Sequence, residues 1–283
     1  MLVVTTIAAV RARRHELWRS GHKVAFVPTM GALHEGHLTL VRRGRELADE
    51  VWVSVFVNPT QFGPGEDFAR YPRTLERDVE LLREVGAALV FAPSEKEMYP
   101  RPAEVSLTFP NLSRHLCGAH RPGHFAGVAL VVSKLFNIVQ PEVALFGAKD
   151  FQQAVLVRRL VEDLNFPVRL EVVPTVREAD GLAMSSRNAY LDASQRQQAL
   201  ALWRALSAAQ AAVLKGERSA KALEGLMLSV LGQTPGVRPQ YVAAVDPETL
   251  EPVEEVQGTV LLALAAYVGS TRLIDNLLVE VPQ

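Results

Sequence analysis

The fold is decided by residues 23–37, KVAFVPTMGALHEGH, where a strand runs directly into a helix. Residues 23–28 are almost wholly apolar and predict a buried strand. Apolar residues between positions 40 and 48 then recur at helical spacing, which predicts an amphipathic helix. His34 and His37 therefore lie at the entrance of that helix.

Two histidines at a helix entrance favour a phosphate-binding site. The first turn of a helix offers unpaired backbone N–H groups and the positive end of the helix dipole, and Gly31 and Gly36 allow a ligand to approach the backbone closely. The alternatives are a metal-binding pair at i, i+3, or histidines that only satisfy core hydrogen bonds. The spacing matches neither the zinc-protease motif nor a dinucleotide fingerprint or P-loop. We therefore favour nucleotide chemistry at His34 and His37.

The composition is that of an ordinary globular protein, and it limits the partners. The 283 residues include 30 basic and 31 acidic side chains, and a net charge of -1 gives no reason to expect nucleic acid or an anionic membrane as a partner. Cys117 is the single cysteine, so no internal disulfide can form. The longest apolar run, 260–268, is about half of the ~20 residues that a membrane-spanning helix needs. The first twenty residues predict an amphipathic helix rather than a signal peptide, and we expect a cytoplasmic protein.

Strands and helices alternate along the first part of the chain. Apolar strands near 51–57, 88–92, 143–146 and 168–173 alternate with helices near 74–85 and 150–164. This rhythm predicts an α/β fold with a Rossmann-like parallel sheet.

The composition changes beyond Ala193, where a helical stretch rich in alanine and leucine begins. A second helix near 219–232 and strands near 240–245, 259–266 and 271–279 follow it. We therefore assign residues 1–175 to the Rossmann-like ligand-binding domain. Residues 176–283 form a smaller C-terminal α+β domain that we expect to act as a lid over the ligand.

Polar residues follow four of the predicted strands. Ligands of parallel sheets bind beyond the carboxyl ends of the strands, so these residues are expected to meet at one edge. The groups are Met30, His34 and His37; residues 58–62; Gly147, Lys149 and Asp150; and residues 174–177. An ordinary turn is the alternative for residues 58–62, and a solvated helix start is the alternative for Lys149 and Asp150.

Residues 177–188 are polar, contain a glycine and lack periodicity, so they predict a loop. Ser185, Ser186 and Arg187 supply two hydroxyls and a guanidinium, which suit phosphate oxygens. A run of this kind is also common on ordinary surfaces, which is the alternative for these residues.

These residues together resemble the pantothenate synthetase family, which shares His-x-Gly-His with a larger group of nucleotide-handling enzymes. The resemblance implies ATP-dependent condensation of pantoate with β-alanine through a pantoyl adenylate, with release of AMP and pyrophosphate. It also implies a homodimer, and ATP and pantoate as the ligands of residues 1–175. The blocks that carry it, in family order, are Pro28–His37, Phe56–Phe62, Tyr71–Asp78, Arg121–Val128, Phe146–Gln153 and Pro174–Asn188.

The resemblance also implies roles for individual residues. His37, His34 and Lys149 would be catalytic, with His37 as the proton donor. Gln61 and Gln153 would bind pantoate, next to Pro28 and Met30. The residues implied to line ATP are Met30, Gly31, His34, His37, Gly147, Lys149, Asp150, Val176, Met184, Ser185, Ser186 and Arg187.

Two positions depart from the family pattern. Ala148 stands where a glutamate commonly precedes the lysine, and a backbone contact with ATP would survive this change. Arg77 interrupts the adjacent acidic residues that are credited with magnesium binding, which weakens the case for Asp78 as a metal ligand. Mg²⁺ is still expected with ATP, held largely by the phosphates, because this ion keeps several waters and few protein ligands.

The main alternative is a nucleotidyltransferase of the same superfamily that acts on a phosphorylated acceptor. It needs the same histidines and an extra cationic site for the acceptor, whereas the neutral amides of Gln61 and Gln153 suit pantoate. A nucleotide-binding regulator without turnover is the alternative from another class, and a test for pyrophosphate release distinguishes it.

Overall fold

The computed structural model describes residues 1–282. Its strands are β1 Leu2–Val4, β2 Val24–Thr29, β3 Glu50–Val55, β4 Leu89–Phe91, β5 Val143–Gly147, β6 Arg169–Val173, β7 Val237–Val245, β8 Thr259–Val268 and β9 Thr271–Glu280. Its helices are α1 Ile7–Arg19, α2 Glu35–Leu47, α3 Leu75–Glu84, α4 Glu95–Met98, α5 Leu116–His120, α6 His124–Val139, α7 Phe151–Asp163, α8 Ala193–Leu214 and α9 Ala220–Gly232.

A six-stranded parallel sheet forms the centre of the first part of the chain, in the order β1-β4-β3-β2-β5-β6. This confirms the predicted α/β fold. The chain runs outward from β2 to β3 on one side, and β5 pairs with β2 on the other side. The strand order thus reverses between β2 and β5, and ligands of such sheets bind at the carboxyl ends next to this point.

Apolar side chains on both faces explain why β2 is central. Val24, Ala25, Phe26 and Val27 are all fully buried. Strands of a parallel sheet are covered by helices on both faces and therefore read as continuous apolar runs. On one face, α2 contributes Leu38, Leu40 and Val41 to a core that includes Ala25 and Val27 of β2. The helix that begins with the two histidines is thus anchored to the sheet.

Four elements were not predicted from the sequence, namely strand β1, the short helices α4 and α5, and helix α6. The first twenty residues hold a short edge strand, β1, before α1, because Leu2–Val4 pairs with β4. Helix α6 was not predicted, although it buries most of its residues and leaves a narrower side with Ser133, Lys134 and Asn137 less buried.

The last part of the chain forms an antiparallel sheet in the order β7-β8-β9. Helices α8 and α9 contribute Leu202, Leu206, Leu223 and Met227 to a core shared with that sheet. The two predicted helices and three predicted strands of this region are present, with bounds that differ by a few residues.

The chain divides into two compact units. The first unit comprises residues 1–109, 121–148 and 156–174, and the second comprises residues 110–120, 149–155 and 175–283. The second unit therefore includes two short segments that lie within residues 1–175. Within residues 1–282, no helix has both the length and the apolar character needed to cross a bilayer.

Candidate active site at the carboxyl ends of the parallel sheet

His34 and His37 cap the first turn of α2 reciprocally. His34 is the N-cap residue, and its Nδ1 accepts a hydrogen bond from Gly36 N at 3.2 Å. Nδ1 of His37 accepts from His34 N at 3.3 Å, which completes a capping box. The two imidazole rings lie with centroids 4.1 Å apart. Capping boxes usually use Ser or Thr with Glu or Gln, so the use of two imidazoles here has a chemical consequence.

The capping bonds decide which ring nitrogen carries the proton. A nitrogen that accepts a hydrogen bond cannot also carry a hydrogen, so in the neutral imidazole the proton lies on Nε2. Both rings therefore present Nε2–H as a donor, at the end of a helix where backbone N–H groups also favour an anion. Donors held in this way need little reorganisation when negative charge develops on a phosphate.

Asp78 holds the turn that leads from β2 to His34. Its carboxylate accepts from Ala32 N at 3.0 Å and from Leu33 N at 2.8 Å, and the side chain is only 1% exposed. Gly31 has a positive φ of 82°, and a Cβ at that position would lie 2.9 Å from both Asp78 Oδ2 and a Val55 methyl. The turn thus requires glycine at 31, and Asp78 acts on the backbone of the site.

Gln61 lies in a 3₁₀ turn, Pro59–Gln61, just after β3. Its side chain is buried, with Nε2 3.1 Å from Met30 Sδ and Oε1 accepting from Asn58 Nδ2 at 3.1 Å. The sheet therefore brings Gln61 next to Met30, as expected for residues that follow neighbouring strands. A cavity of about 280 Å³ in the first unit is lined in part by Met30, Gly31 and Asp78.

An ion pair supports the main chain of Gln61. Glu66 and Arg121 form a bidentate pair with two N–O distances of 2.7 Å. Arg121 also donates to Nε2 of His124 at 2.9 Å, which requires Nδ1 of His124 to donate to Gln61 O at 2.8 Å. Burial alone would raise the pKa of Glu66, but the hydrogen bonds and charge of Arg121 outweigh it and hold that pKa below 4.5. The sequence analysis gave Glu66 and His124 no role. His124 lies within the Arg121–Val128 block, whereas none of the six blocks includes Glu66.

The remaining site residues of the first unit lie at the ends of the two central strands. Pro28 belongs to β2, where it pairs with Ser54 of β3. Gly147 ends β5, the other neighbour of β2. The first unit therefore gathers Pro28, Met30, Gly31, His34, His37, Gln61 and Gly147 at the carboxyl edge of adjacent strands.

In the second unit, Gln152 and Gln153 have different environments. Gln152 is buried and its amide bonds three main-chain groups, those of Cys117, Leu112 and His115, at 2.9 Å each. That set of bonds gives Gln152 a structural role. Gln153 is half-buried and remains the candidate for a substrate contact. Sequence alone gave no physical ground for separating the two.

Lys149 and Asp150 lie in a 3₁₀ turn just before α7. The main-chain oxygen of Lys149 accepts from Asn276 Nδ2 of β9 at 2.7 Å, which fixes the backbone of the turn. The turn is therefore an ordered part of the second unit.

Residues 176–188 form a loop that hydrogen bonds and a short 3₁₀ turn hold in place. Met184 N donates to Val176 O at 3.0 Å, and Arg177 pairs with Asp275 through bonds of 2.7 and 2.9 Å. Ser185 caps the 3₁₀ turn Ser186–Tyr190, its Oγ accepting from Arg187 N at 3.3 Å. Val176, Met184, Ser185, Ser186 and Arg187 thus belong to one locally fixed segment.

Residues 1–282 contain no cluster of three or more His, Cys, Asp or Glu side chains that could hold a metal ion. Asp78 is only 1% exposed and both of its oxygens accept backbone N–H groups, which favours a structural role for this carboxylate over the predicted metal contact.

The chain matches the family model of the pantoate-beta-alanine ligases over residues 2–278. A pantothenate synthetase of Moorella thermoacetica is 54% identical to it over 281 residues, covering 99% of each chain. The chain belongs to the pantoate–β-alanine ligase family. The resemblance predicted from the sequence is thereby confirmed.

Solved structures of the pantoate–β-alanine ligase family have the same fold. Pantothenate synthetase from Thermus thermophilus aligns over the whole of both chains with 47% identity and a TM-score of 0.93. A pantoate-β-alanine ligase from Francisella tularensis, complexed with β,γ-ATP and β-alanine, aligns with 33% identity and a TM-score of 0.81 over 98% and 97% of the two chains.

Proposed function

We propose that the chain ligates pantoate and β-alanine in an ATP-dependent reaction that releases AMP and pyrophosphate. The observation that carries the proposal is the helix cap that His34 and His37 form at the point where the strand order of the sheet reverses. The chain that contains this cap matches the pantoate–β-alanine ligase family over residues 2–278. The mechanism we propose has two steps and passes through a pantoyl adenylate.

In the first step, a carboxylate oxygen of pantoate attacks the α-phosphorus of ATP. The bond from that phosphorus to the bridging oxygen breaks, and pyrophosphate leaves. A carboxylate is already ionised at pH 7, so this step needs no general base. The protein has to position the reactants and stabilise the charge that builds on the phosphates.

We assign that stabilisation to His34, His37 and Lys149. The Nε2–H groups of the two histidines are donors whose orientation the helix cap fixes, and that of His37 donates a hydrogen bond to the departing pyrophosphate. Lys149 adds a positive charge that suits phosphate oxygens. We propose further ATP contacts for Met30, Gly31, Gly147, Asp150, Val176, Met184, Ser185, Ser186 and Arg187.

We propose that Gln61 and Gln153 bind pantoate, with Pro28 and Met30 beside it. A neutral amide donates to a carboxylate and also meets hydroxyl groups, whereas an acidic side chain would repel this substrate. In the second step the amine of β-alanine attacks the acyl carbon of the adenylate and AMP leaves. The amine, with a pKa of about 10 by analogy with lysine, must lose a proton before this attack.

Mg²⁺ enters this proposal as part of the ATP substrate. The ion binds phosphate oxygens and waters readily and needs few protein ligands. Because Asp78 is committed to the backbone of the β2–α2 turn, no protein ligand is assigned to the ion.

Exchange of labelled pyrophosphate into ATP tests the first step. The assay contains Mg²⁺ and pantoate but no β-alanine, and it compares wild type, His37→Ala and the control His15→Ala, which changes an exposed histidine of α1. We expect pantoate-dependent exchange that falls by about 10² to 10³ in His37→Ala and stays unchanged in the control. No exchange in a folded, ATP-binding wild type would contradict the proposal and favour the nucleotidyltransferase alternative.

A further inference from the structure

The 3₁₀ turn that carries Gln61 is seated against helix α6. A Cβ added at Gly127 of α6 would lie only 2.1 Å from Thr60 O, so the helix and the turn meet backbone to backbone. Asn58, which begins the turn, is 1% exposed. Its amide therefore has only protein groups as neighbours, and those neighbours decide how it is oriented.

The amide of Asn58 has one permitted orientation. Its Oδ1 lies 2.8 Å from the Tyr99 hydroxyl and 2.9 Å from the Thr60 hydroxyl, and both groups can donate. Its Nδ2 lies 3.2 Å from Gly127 O, which can only accept. A flipped Asn58 would set its oxygen against that carbonyl oxygen, which is unfavourable for a buried group.

Tyr99 is suited to act as a permanent donor. Burial raises the pKa of its phenol, so the hydroxyl keeps its proton across the physiological range. Tyr99 follows α4 and lies 41 residues from Asn58 in sequence, so this contact exists only in the folded chain.

The orientation of Asn58 passes on to Gln61. The second hydrogen of Asn58 Nδ2 is directed at Gln61 Oε1, at 3.1 Å. With its oxygen held in this way, Gln61 directs Nε2 toward Met30, where the nearest acceptor is a thioether sulfur at 3.1 Å. Sulfur is a weak acceptor, so the Nε2–H groups retain donor capacity for a stronger acceptor such as a carboxylate or hydroxyl oxygen.

We propose that Tyr99 is a positioning residue that, through Asn58, holds the Gln61 amide with its NH₂ group toward the oxygens of the carboxylic acid substrate. This rests on the proposed function, in which Gln61 binds pantoate. Tyr99 itself touches no reacting atom. Its hydroxyl fixes the amide of Asn58, and Asn58 Nδ2 then requires an oxygen from Gln61. If the Gln61 amide were flipped, its NH₂ group would face the NH₂ group of Asn58, which is unfavourable.

Steady-state kinetics of Tyr99→Phe test the proposal. The variant removes one hydroxyl and keeps the ring, and we expect the KM for pantoate to rise about tenfold while the KM for ATP stays unchanged. Tyr267→Phe is the matched control, since Tyr267 lies on β8 and its ring contacts Arg238 at 4.4 Å, and it should behave as wild type. A wild-type KM for pantoate in a folded Tyr99→Phe protein would overturn the proposal, as would an equal rise in both KM values.

A double-mutant cycle with Gln61→Met separates positioning from a general structural effect. If Tyr99 acts through the Gln61 amide, adding Tyr99→Phe to Gln61→Met produces no further rise in the KM for pantoate. Effects that simply add would overturn the proposal. Thr60→Val serves as the second variant if Tyr99→Phe does not fold, because Thr60 is exposed and donates to the same Asn58 oxygen. It should raise the KM for pantoate in the same direction.

The wild-type exchange assay distinguishes failure of the positioning role of Tyr99 from failure of the proposed function. Pantoate-dependent exchange in the wild type with unchanged kinetics in Tyr99→Phe overturns the positioning role alone. Absence of pantoate-dependent exchange in the wild type overturns the proposed function, and with it the substrate assigned to Gln61.

Discussion

Asp78 is a buried carboxylate that holds the backbone of the turn before α2. Its oxygens hold Ala32 N and Leu33 N, and Thr74 Oγ1 lies 3.3 Å from Oδ1. Ala32 and Leu33 belong to the turn between β2 and α2, and this turn places His34 at the start of α2. An acidic residue near an ATP site is easily interpreted as a magnesium ligand, and the sequence raised that possibility for Asp78.

Asp78→Asn distinguishes a backbone anchor from a metal ligand. Asparagine has one oxygen in place of two, so an NH₂ group would face a backbone N–H, and we expect a loss of about 1–3 kcal/mol in the free energy of unfolding. The Mg²⁺ concentration that gives half-maximal exchange should not change. Denaturant unfolding and a Mg²⁺ titration measure the two effects.

Asp163→Asn, at the exposed end of α7, is the matched control for that experiment and should retain wild-type stability. A large increase in the Mg²⁺ requirement of Asp78→Asn without loss of stability would contradict the anchoring role.

The roles of Gln152 and Gln153 could not be distinguished from the sequence. Two adjacent glutamines look alike in sequence, and which of them faces the protein interior depends on the exact phase of α7. Three main-chain partners identify Gln152 as structural, and all three belong to residues 112–117, a segment distant in the chain. No local pattern carries that information.

At the scale of elements, helix α6 and the turn after β3 depend on each other. Gly127 allows their backbones to meet, because any side chain there would overlap Thr60 O. Gly225 lies inside α9, and a Cβ added there would meet no atom within 4 Å. The two helical glycines therefore form a matched pair of test positions.

We expect Gly127→Ala and Gly225→Ala to change stability in opposite directions. The first forces α6 and the turn apart and should destabilise the protein by about 1–3 kcal/mol. The second removes a flexible residue from a helix interior and should stabilise it by about 0.5–1 kcal/mol. Thermal or denaturant unfolding of both variants gives the comparison, and stabilisation by Gly127→Ala would contradict the close contact.

The Glu66–Arg121 pair links the loop after β3 to the start of α6, and its effect on stability should depend on pH. The pKa of Glu66 lies below 4.5 in the folded protein, chiefly because Arg121 outweighs the effect of burial. A carboxyl whose pKa falls on folding stabilises the folded state above its unfolded pKa. This stabilisation is lost as the pH falls through the lower folded pKa.

We therefore expect Glu66→Gln to be less stable than wild type at pH 7, by about 1 kcal/mol. The difference should close as the pH falls through the lowered pKa of Glu66, where the wild-type carboxyl takes up its proton. Denaturant unfolding at a series of pH values measures it. Glu16→Gln, in an exposed pair with Arg13, should show little difference at any pH. A gap of constant size across the pH range would contradict the assignment.

At the scale of the whole molecule, the chain forms two compact units, and the second takes up residues 110–120 and 149–155 from the first part of the sequence. The sequence-based boundary at residue 176 did not include these segments. The lid role of residues 176–283 and the homodimer stay predictions, and sedimentation or light scattering would test the dimer.

Ser185 and Ser186 provide a test of the role proposed for residues 176–188. Replacing both by alanine should lower turnover by about 10² or more while the protein stays folded, since two donors to the phosphates would be lost. The control is Ser229→Ala in α9, which should keep wild-type turnover. Unchanged turnover in the double variant would count against ATP binding by this segment.

The sequence determined those features of the fold that depend on interactions between residues close together in the chain. Short-range patterns predicted the parallel sheet and the position of His34 and His37. These patterns are the apolar run of β2, the alternation of strands with helices, and the polar residues after each strand. The family blocks then predicted the candidate residues and the reaction. Strand β1 and helices α4 and α5 were not predicted because elements of three to five residues are too short to show a period, and the mostly buried helix α6 was not predicted either.

Only the tertiary structure decided how those residues are held. Tyr99 lies 41 residues from Asn58, and Asp78 lies 45 residues from Leu33, so neither bond leaves a local pattern in the sequence. Each depends on the folded sheet bringing distant loops to one edge. The proton position on each histidine, the orientation of the Gln61 amide and the commitment of Asp78 to the backbone follow from partners that exist only after folding.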